Sequence, residues 1–147
     1  MVNTLYKKIL LPTDGSKYSE KSQEHAFLIA NASGAEIIAL SVVENSFSLG
    51  LPVDDTVIEV QQLLKSESEK NLKKVEELKE KTNADVKVSF MVKEGNPAKV
   101  ILETVEEEDI DLVVIGSSGK TGLDRFIMGS VAEKVVKGAK CSVLVVH

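Results

Sequence analysis

Short apolar runs that alternate with longer amphipathic stretches constrain this chain more than any other feature. Lys8-Ile9-Leu10-Leu11 reads as a first strand, and Tyr18 to Ala32 as a helix with Ala26, Ile29 and Ala30 turned inward. Gly34 stops that helix, because glycine takes the left-handed conformation at a helix end without a Cβ penalty. Glu36 to Val43 is a second strand, apolar almost throughout, as a strand covered on both faces must be. A loop from Asn45 to Pro52 leads to Asp54 or Asp55, either of which caps a long helix. Its apolar stripe is Val57, Val60, Leu64, Leu72, Val75 and Leu78, recurring at helical spacing. The stripe skips near Ser68, where the helix is expected to bend or to expose part of itself. Ala84 to Val92 is a third strand, with Val86, Val88 and Phe90 alternating. Gly95-Asn96-Pro97 turns into a helix through Val100, Ile101 and Val105. Asp111 to Ile115 is the fourth strand, a helical pattern begins at Ser130, and Ser142 to Val146 is the fifth strand.

Strict alternation of this kind predicts a parallel sheet with right-handed crossovers. The expected fold is α/β: a single doubly wound five-stranded parallel sheet with helices on both faces, Rossmann-like. The 147 residues suit one domain, spanning 1–147, with an ordinary core. In such sheets ligands bind outside the carboxyl ends of the strands, where strand order reverses. The segments after strands one and four are therefore the places to look.

Composition narrows the partners. A net charge of −5, with Lys and Glu interleaved along the long helix, offers no general attraction for nucleic acid. No apolar run approaches the ~20 residues that a bilayer span needs. The start of the chain runs through Lys7-Lys8 into a strand and shows no secretory leader. The expectation is a cytoplasmic protein with no membrane and no nucleic-acid partner. The single cysteine, Cys141, excludes an intrachain disulfide and reads as a small side chain beside an apolar strand rather than a nucleophile.

The chemistry concentrates after the fourth strand. Leu112-Val113-Val114-Ile115 is followed by Gly116-Ser117-Ser118-Gly119 and, after nine intervening residues, by Gly129-Ser130 at a helix start. Glycines let a backbone approach an anion closely, and free amides at a helix N-terminus point at it. Ser117, Ser118 and Ser130 add hydroxyls, the amides at Ser130 and Val131 suit terminal phosphates, and Lys120 and Arg125 are nearby cations. After the first strand comes Pro12-Thr13-Asp14-Gly15-Ser16. Asp14 reads as a turn or cap residue, or as a carboxylate facing the ribose hydroxyls or a phosphate-bound metal, and the two roles are compatible. Ser16 and Lys17 read as cap and surface. Gly119-Lys120-Thr121 imitates the end of a Walker A motif, but the glycine that motif requires falls at Val114, inside the strand. The G-x-G-x-x-G fingerprint fails because Gly116 and Gly119 are three apart.

With these residues in place the chain resembles the universal stress proteins, over essentially its whole length. Gly116-x2-Gly119-x9-Gly129-Ser130 is similar to the motif of their ATP-binding branch. Pro12-Thr13-Asp14-Gly15-Ser16, Ser41-Val42-Val43-Glu44, Glu94-Gly95-Asn96-Pro97 and the closing Cys141 to Val146 also match. The resemblance implies that the backbone of Val42 meets adenine, that Pro12 and Thr13 line the base pocket, and that Asp14 lies near the ribose and the metal-phosphate end. It implies a ribose and phosphate loop from Gly116 through Ser117, Ser118, Gly119, Lys120 and Thr121 to Gly122, with Gly129, Ser130 and Val131 on the outer phosphates. Ser118 stands where many relatives carry histidine or arginine. The implied ligand is ATP, with AMP or ADP as alternatives, and Mg²⁺ held mainly by the phosphates with Asp14 as a candidate ligand. The resemblance also implies a homodimer through the last strand, Val143 to Val146.

Nothing in the sequence supplies a catalytic constellation. Phosphoryl transfer needs a metal, a positioned nucleophile and charge stabilisation, and no residue is placed to orient an attacking water. His25 reads as a surface or boundary residue of the first helix, His147 is the last residue, and Glu106-Glu107-Glu108 reads as a charged helix end. The leading expectation is an ATP-binding regulatory protein whose occupancy sets its conformation or choice of partner. A slow Mg-dependent ATPase and a nucleotide-independent structural dimer are the alternatives.

Overall fold

The computed structural model describes residues 5–45, 50, 54–82, 85–118 and 128–147. The elements run β1 (Lys8–Pro12), α1 (Lys17–Ser33), β2 (Glu36–Val43), α2 (Asp55–Thr82), β3 (Val88–Glu94), α3 (Pro97–Glu107), β4 (Leu112–Gly116), α4 (Ser130–Gly138) and β5 (Ser142–Val146). All strands are parallel, in the order β3-β2-β1-β4-β5. The chain therefore winds outward one way through β2 and β3, then returns past β1 to β4 and β5. The reversal falls between β1 and β4, as the alternation predicts.

Two cores sandwich the sheet. Successive residues of a strand point to opposite faces, and β1 shows the consequence directly. Ile9 and Leu11 join Phe27, Leu72 and Val75 under α1 and α2. Leu10 joins Ile101, Val105 and Val135 under α3 and α4. The helix ends carry the chemistry that sequence reasoning assigns to them. Ser16 caps α1 through its hydroxyl to the Ser19 amide. Gly34, at φ 77°, ends it with its N–H on the Ala30 carbonyl. Asp54 rather than Asp55 accepts from the Val57 amide and caps α2. Asn96 caps α3, with Pro97 in its first turn.

Several boundaries move. β3 begins at Val88, not at Ala84, which lies outside the described residues. Val86 is buried before the ladder starts, whereas Phe90, which alternates with it in the sequence, is 41% exposed because β3 is an edge strand. Asp111 precedes β4 instead of opening it, because its carboxylate accepts from the amides of Lys7 and Lys8 at 2.8 and 2.9 Å. The first half of α2 lies further from the sheet than its stripe predicts, with Val57 half-buried and Val60 exposed. Ser68, the expected point of exposure, is buried, and its hydroxyl donates to that of Ser41 on β2. A serine suits this position because the helix approaches the strand closely enough for two hydroxyls to meet.

Candidate functional site

The carboxyl ends of β1 and β4 diverge and leave a cleft of about 410 Å³. Three local features shape it. First, Thr13 donates its amide to the Leu40 carbonyl at 2.8 Å, which ties the β1–α1 turn to β2. Its hydroxyl accepts from Ser19 and Gln23, so the turn is also tied to α1. Asp14 then closes an Asx turn, one carboxylate oxygen accepting from the Ser16 amide at 2.9 Å. That fulfils the turn role of Asp14 and leaves its other oxygen uncommitted among the described residues. The cap is Ser16, not Asp14.

Second, β2 runs past the end of β1. Leu40 points its carbonyl to the β1 side and Val43 points its carbonyl to Gly95 on the β3 side. Backbone groups alternate along a strand, so the N–H and C=O of Val42 face the side where β1 has already ended. Val42 lines the cleft there.

Third, the two halves of the glycine motif meet. Ser117 donates its amide to the Val146 carbonyl at 2.8 Å and accepts from the Gly129 amide at 2.7 Å. The segment between Ser118 and Met128 therefore leaves and returns at one point. Gly129 begins α4 with no side-chain cap, so the first-turn amides of Ser130, Val131 and Ala132 lack the usual local acceptor at the cleft wall. The hydroxyls of Ser117 and Ser118 line the same wall, on residues only 2% and 6% exposed.

The structure thus brings Pro12, Thr13, Asp14, Val42, Gly116, Ser117, Ser118, Gly129, Ser130 and Val131 around one cleft. Gly119, Lys120, Thr121 and Gly122 lie outside the described residues, as does Arg125. Among the described residues the lining carries no Lys or Arg, so amides and hydroxyls are what it offers an anion. Gly116 has a reason other than ligand approach: a Cβ there meets the backbone carbon of Tyr18 at 2.8 Å, so the glycine lets α1 pack on the strand end.

Sequence reasoning missed the wall contributed by α2. Leu64, Glu67, Ser68 and Asn71 all line the cleft. The available signal was the break in the apolar stripe, where Ser68 and Asn71 occupy buried positions that a purely structural helix fills with aliphatic residues. Ile101 and Ile115 add apolar side chains to the lining. Polar groups beside apolar side chains suit a flat aromatic base carrying a hydrophilic tail.

Among the described residues no group of three His, Cys, Asp or Glu side chains is placed to hold a metal ion. Asp14 offers one carboxylate oxygen, which fits a magnesium ion whose remaining ligands are phosphates and water. His25 is exposed on α1, away from the cleft. Cys141 is partly buried, and burial pushes its thiol up from the ordinary value, which disfavours the thiolate. Glu106 pairs with Lys140 and Glu107 with Lys93, as a solvated helix end does. Among the described residues no helix is long and apolar enough to cross a membrane.

Comparison with known proteins agrees with this geometry. The model of the universal stress protein family matches residues 5–147. The chain is 46% identical over 142 residues to universal stress protein MJ0531 of Methanocaldococcus jannaschii, covering 97% of this chain and 82% of that protein. Among solved structures, universal stress protein UspA from Lactobacillus plantarum superposes with a TM-score of 0.83 at 25% identity, over 97% of this chain and 98% of that one. The hypothetical protein MJ0577 superposes with a TM-score of 0.77 at 33% identity, over 97% and 96%.

Proposed function

This chain belongs to the universal stress protein family, and from that premise we propose that it binds an adenine nucleotide, ATP with Mg²⁺, in the strand-end cleft and acts as a regulatory protein whose occupancy sets its choice of partner. The observation that carries the reading is the Gly129-to-Ser117 hydrogen bond. It sets the uncapped start of α4 against the end of β4, and so makes one anion-receiving wall from two distant pieces of sequence. In this reading adenine lies against Val42, Ile101 and Ile115, with Pro12 and Thr13 beneath it. Asp14 faces the ribose and the metal-phosphate end, the Gly116-to-Gly122 segment wraps ribose and inner phosphates, and Gly129, Ser130 and Val131 receive the outer phosphates. Two more distant structures of this fold were solved in complex with cAMP and with AMP bound, at 23% and 18% identity. Those ligands are theirs, and for this chain AMP and ADP stand as competitors to ATP.

Titration calorimetry with Mg-ATP tests the reading, with saturation near one nucleotide per chain expected. A phosphate-release assay tests its regulatory character: no steady release is expected, and steady release abolished by Asp14→Ala contradicts it. We also propose a cytoplasmic homodimer joined through β5. That strand lies at the sheet edge with Val143, Leu144 and Val145 only half-buried, and an apolar edge left open invites pairing. Leu144→Lys is expected to convert a dimer to a monomer in light scattering, and an unchanged mass overturns the β5 interface.

A further inference from the structure

The α2 side of the cleft contains one group that neither the fold nor the proposed nucleotide contacts make use of. Asn71 in α2 is only 7% exposed and lines the cleft. Its amide has no hydrogen-bond partner among the described residues, and no side-chain polar atom sealed away from solvent there lacks a partner. The amide of Asn71 therefore faces the cleft. Open to the cleft, the amide has only water to bond there, and a ligand that enters can take the water's place. A fold that keeps such a group gains nothing from it unless something else binds there.

The surroundings hold the amide in place. Gly15, at φ 82° in the β1–α1 turn, backs directly onto it. A Cβ at position 15 would lie 2.5 Å from Oδ1 and 3.1 Å from Cγ of Asn71. The turn that carries Asp14 is thus shaped around this side chain. On the other side, the Ser68–Ser41 hydroxyl contact pins the same stretch of α2 to β2, beside Val42. Asn71 lines the same cleft as Asp14 and Val42, the two positions assigned to ribose and base.

We propose that the Asn71 amide hydrogen-bonds the nucleoside part of the bound nucleotide, its sugar or base, and not its phosphates. The proposal rests on the adenine-nucleotide reading. An amide both donates and accepts, which suits a sugar hydroxyl or a base edge. Glu67, one turn before Asn71 on the same helix, also lines the cleft, and a carboxylate there disfavours a polyphosphate. The amide is a specificity contact that no glycine or phosphate motif contains.

The test is a pair of titrations, Mg-ATP and adenosine, on the parent protein, Asn71→Ala and Asn71→Asp, with the melting temperature of each recorded. Asn71→Ala is expected to weaken both ligands by the same factor, about tenfold, the worth of one hydrogen bond. Its melting temperature without ligand stays level or rises. Asn71→Asp keeps the shape, removes the donor and is expected to weaken both ligands at least as much. Unchanged ATP affinity in both variants overturns the proposal while leaving the nucleotide reading intact. Loss of ATP binding with adenosine unaffected places the amide on the phosphates and also overturns it. A parent protein that takes up neither ligand overturns the nucleotide reading and the proposal together.

Discussion

The cleft at the strand ends and a second cleft between α3 and α4 have nearly equal volumes, about 410 and 420 Å³, yet they are built in opposite ways. The α3–α4 cleft has a floor of Ala98, Leu102, Val105 and Ala139 and a rim of charged side chains. Four of the five charges answer one another: Lys140 meets Glu106 at 2.8 Å and Lys99 meets Glu103 at 3.9 Å. At the strand ends the polar groups do the reverse. Asp14 has an oxygen to spare, α4 starts without a side-chain cap and Asn71 has no partner among the described residues. The backbone that carries these groups is nevertheless tied down by Thr13, Ser117 and Ser68. Volume alone does not make a site. Rigidly held polar groups that the fold leaves unsatisfied do, because a ligand recovers what folding left unpaired.

Glycine substitutions give the largest contrast between the two clefts. Gly116→Val drives a side chain into the Tyr18 backbone, so it is expected to cost about 2–3 kcal/mol of stability, read by chemical denaturation. Gly138→Ala meets only the flexible Leu102 side chain, whose Cδ1 is nearest at 2.8 Å. The helix propensity it gains is about 0.5–1 kcal/mol, so stability is expected to change little. Equal losses at the two positions contradict the packing assigned to Gly116.

Next in size is an effect on binding alone. Gly119→Val, at the motif position expected on the phosphates, should weaken Mg-ATP at least tenfold, about 1.4 kcal/mol, with the melting temperature held. Lys99→Ala on the rim of the other cleft should leave Mg-ATP affinity unchanged in the same titration. If Lys99→Ala weakens binding as much as Gly119→Val, the two clefts have been assigned the wrong way round.

A smaller effect concerns Cys141, which packs against the core under α3 and α4. Burial raises its thiol above the ordinary value, so at neutral pH it should react with a thiol-specific disulfide reagent more slowly in the folded protein than in the denatured one. Equal rates contradict its burial.

The smallest effect is in the pH dependence of the α3–α4 rim. Lys140 holds the Glu106 carboxyl below its ordinary value of 4.5 through a hydrogen bond and its charge. A lowered carboxyl contributes stability that is present above 4.5 and fades as pH falls through the folded value. Lys140→Ala should flatten the acid side of the stability profile slightly, in urea titrations across that range. Because both groups are exposed, a large change contradicts the description of a solvated pair.

The sheet was legible because burial on both faces forces nearly continuous apolar strands, and β2 and β5 have the boundaries their sequence predicts. Edges were less legible. Asp111 caps the start of β4 through long-range amides, and Phe90 sits on an open edge. Neither fact is encoded in local periodicity. The strand-end site was legible where glycine, proline and serine mark turns, as in Pro12 to Ser16. It was illegible on α2, because Asn71 and Ser68 look like surface residues until the helix is laid across the strand ends. Gly116 shows the converse: a motif residue whose packing against Tyr18 already accounts for it.

The most direct test of the central claim is to denature freshly purified protein and identify what it releases by mass spectrometry. An adenine nucleotide near one per chain is the predicted result. Protein that releases none, and binds none when Mg-ATP is added, contradicts the claim and leaves the strand-end cleft as packing without a ligand.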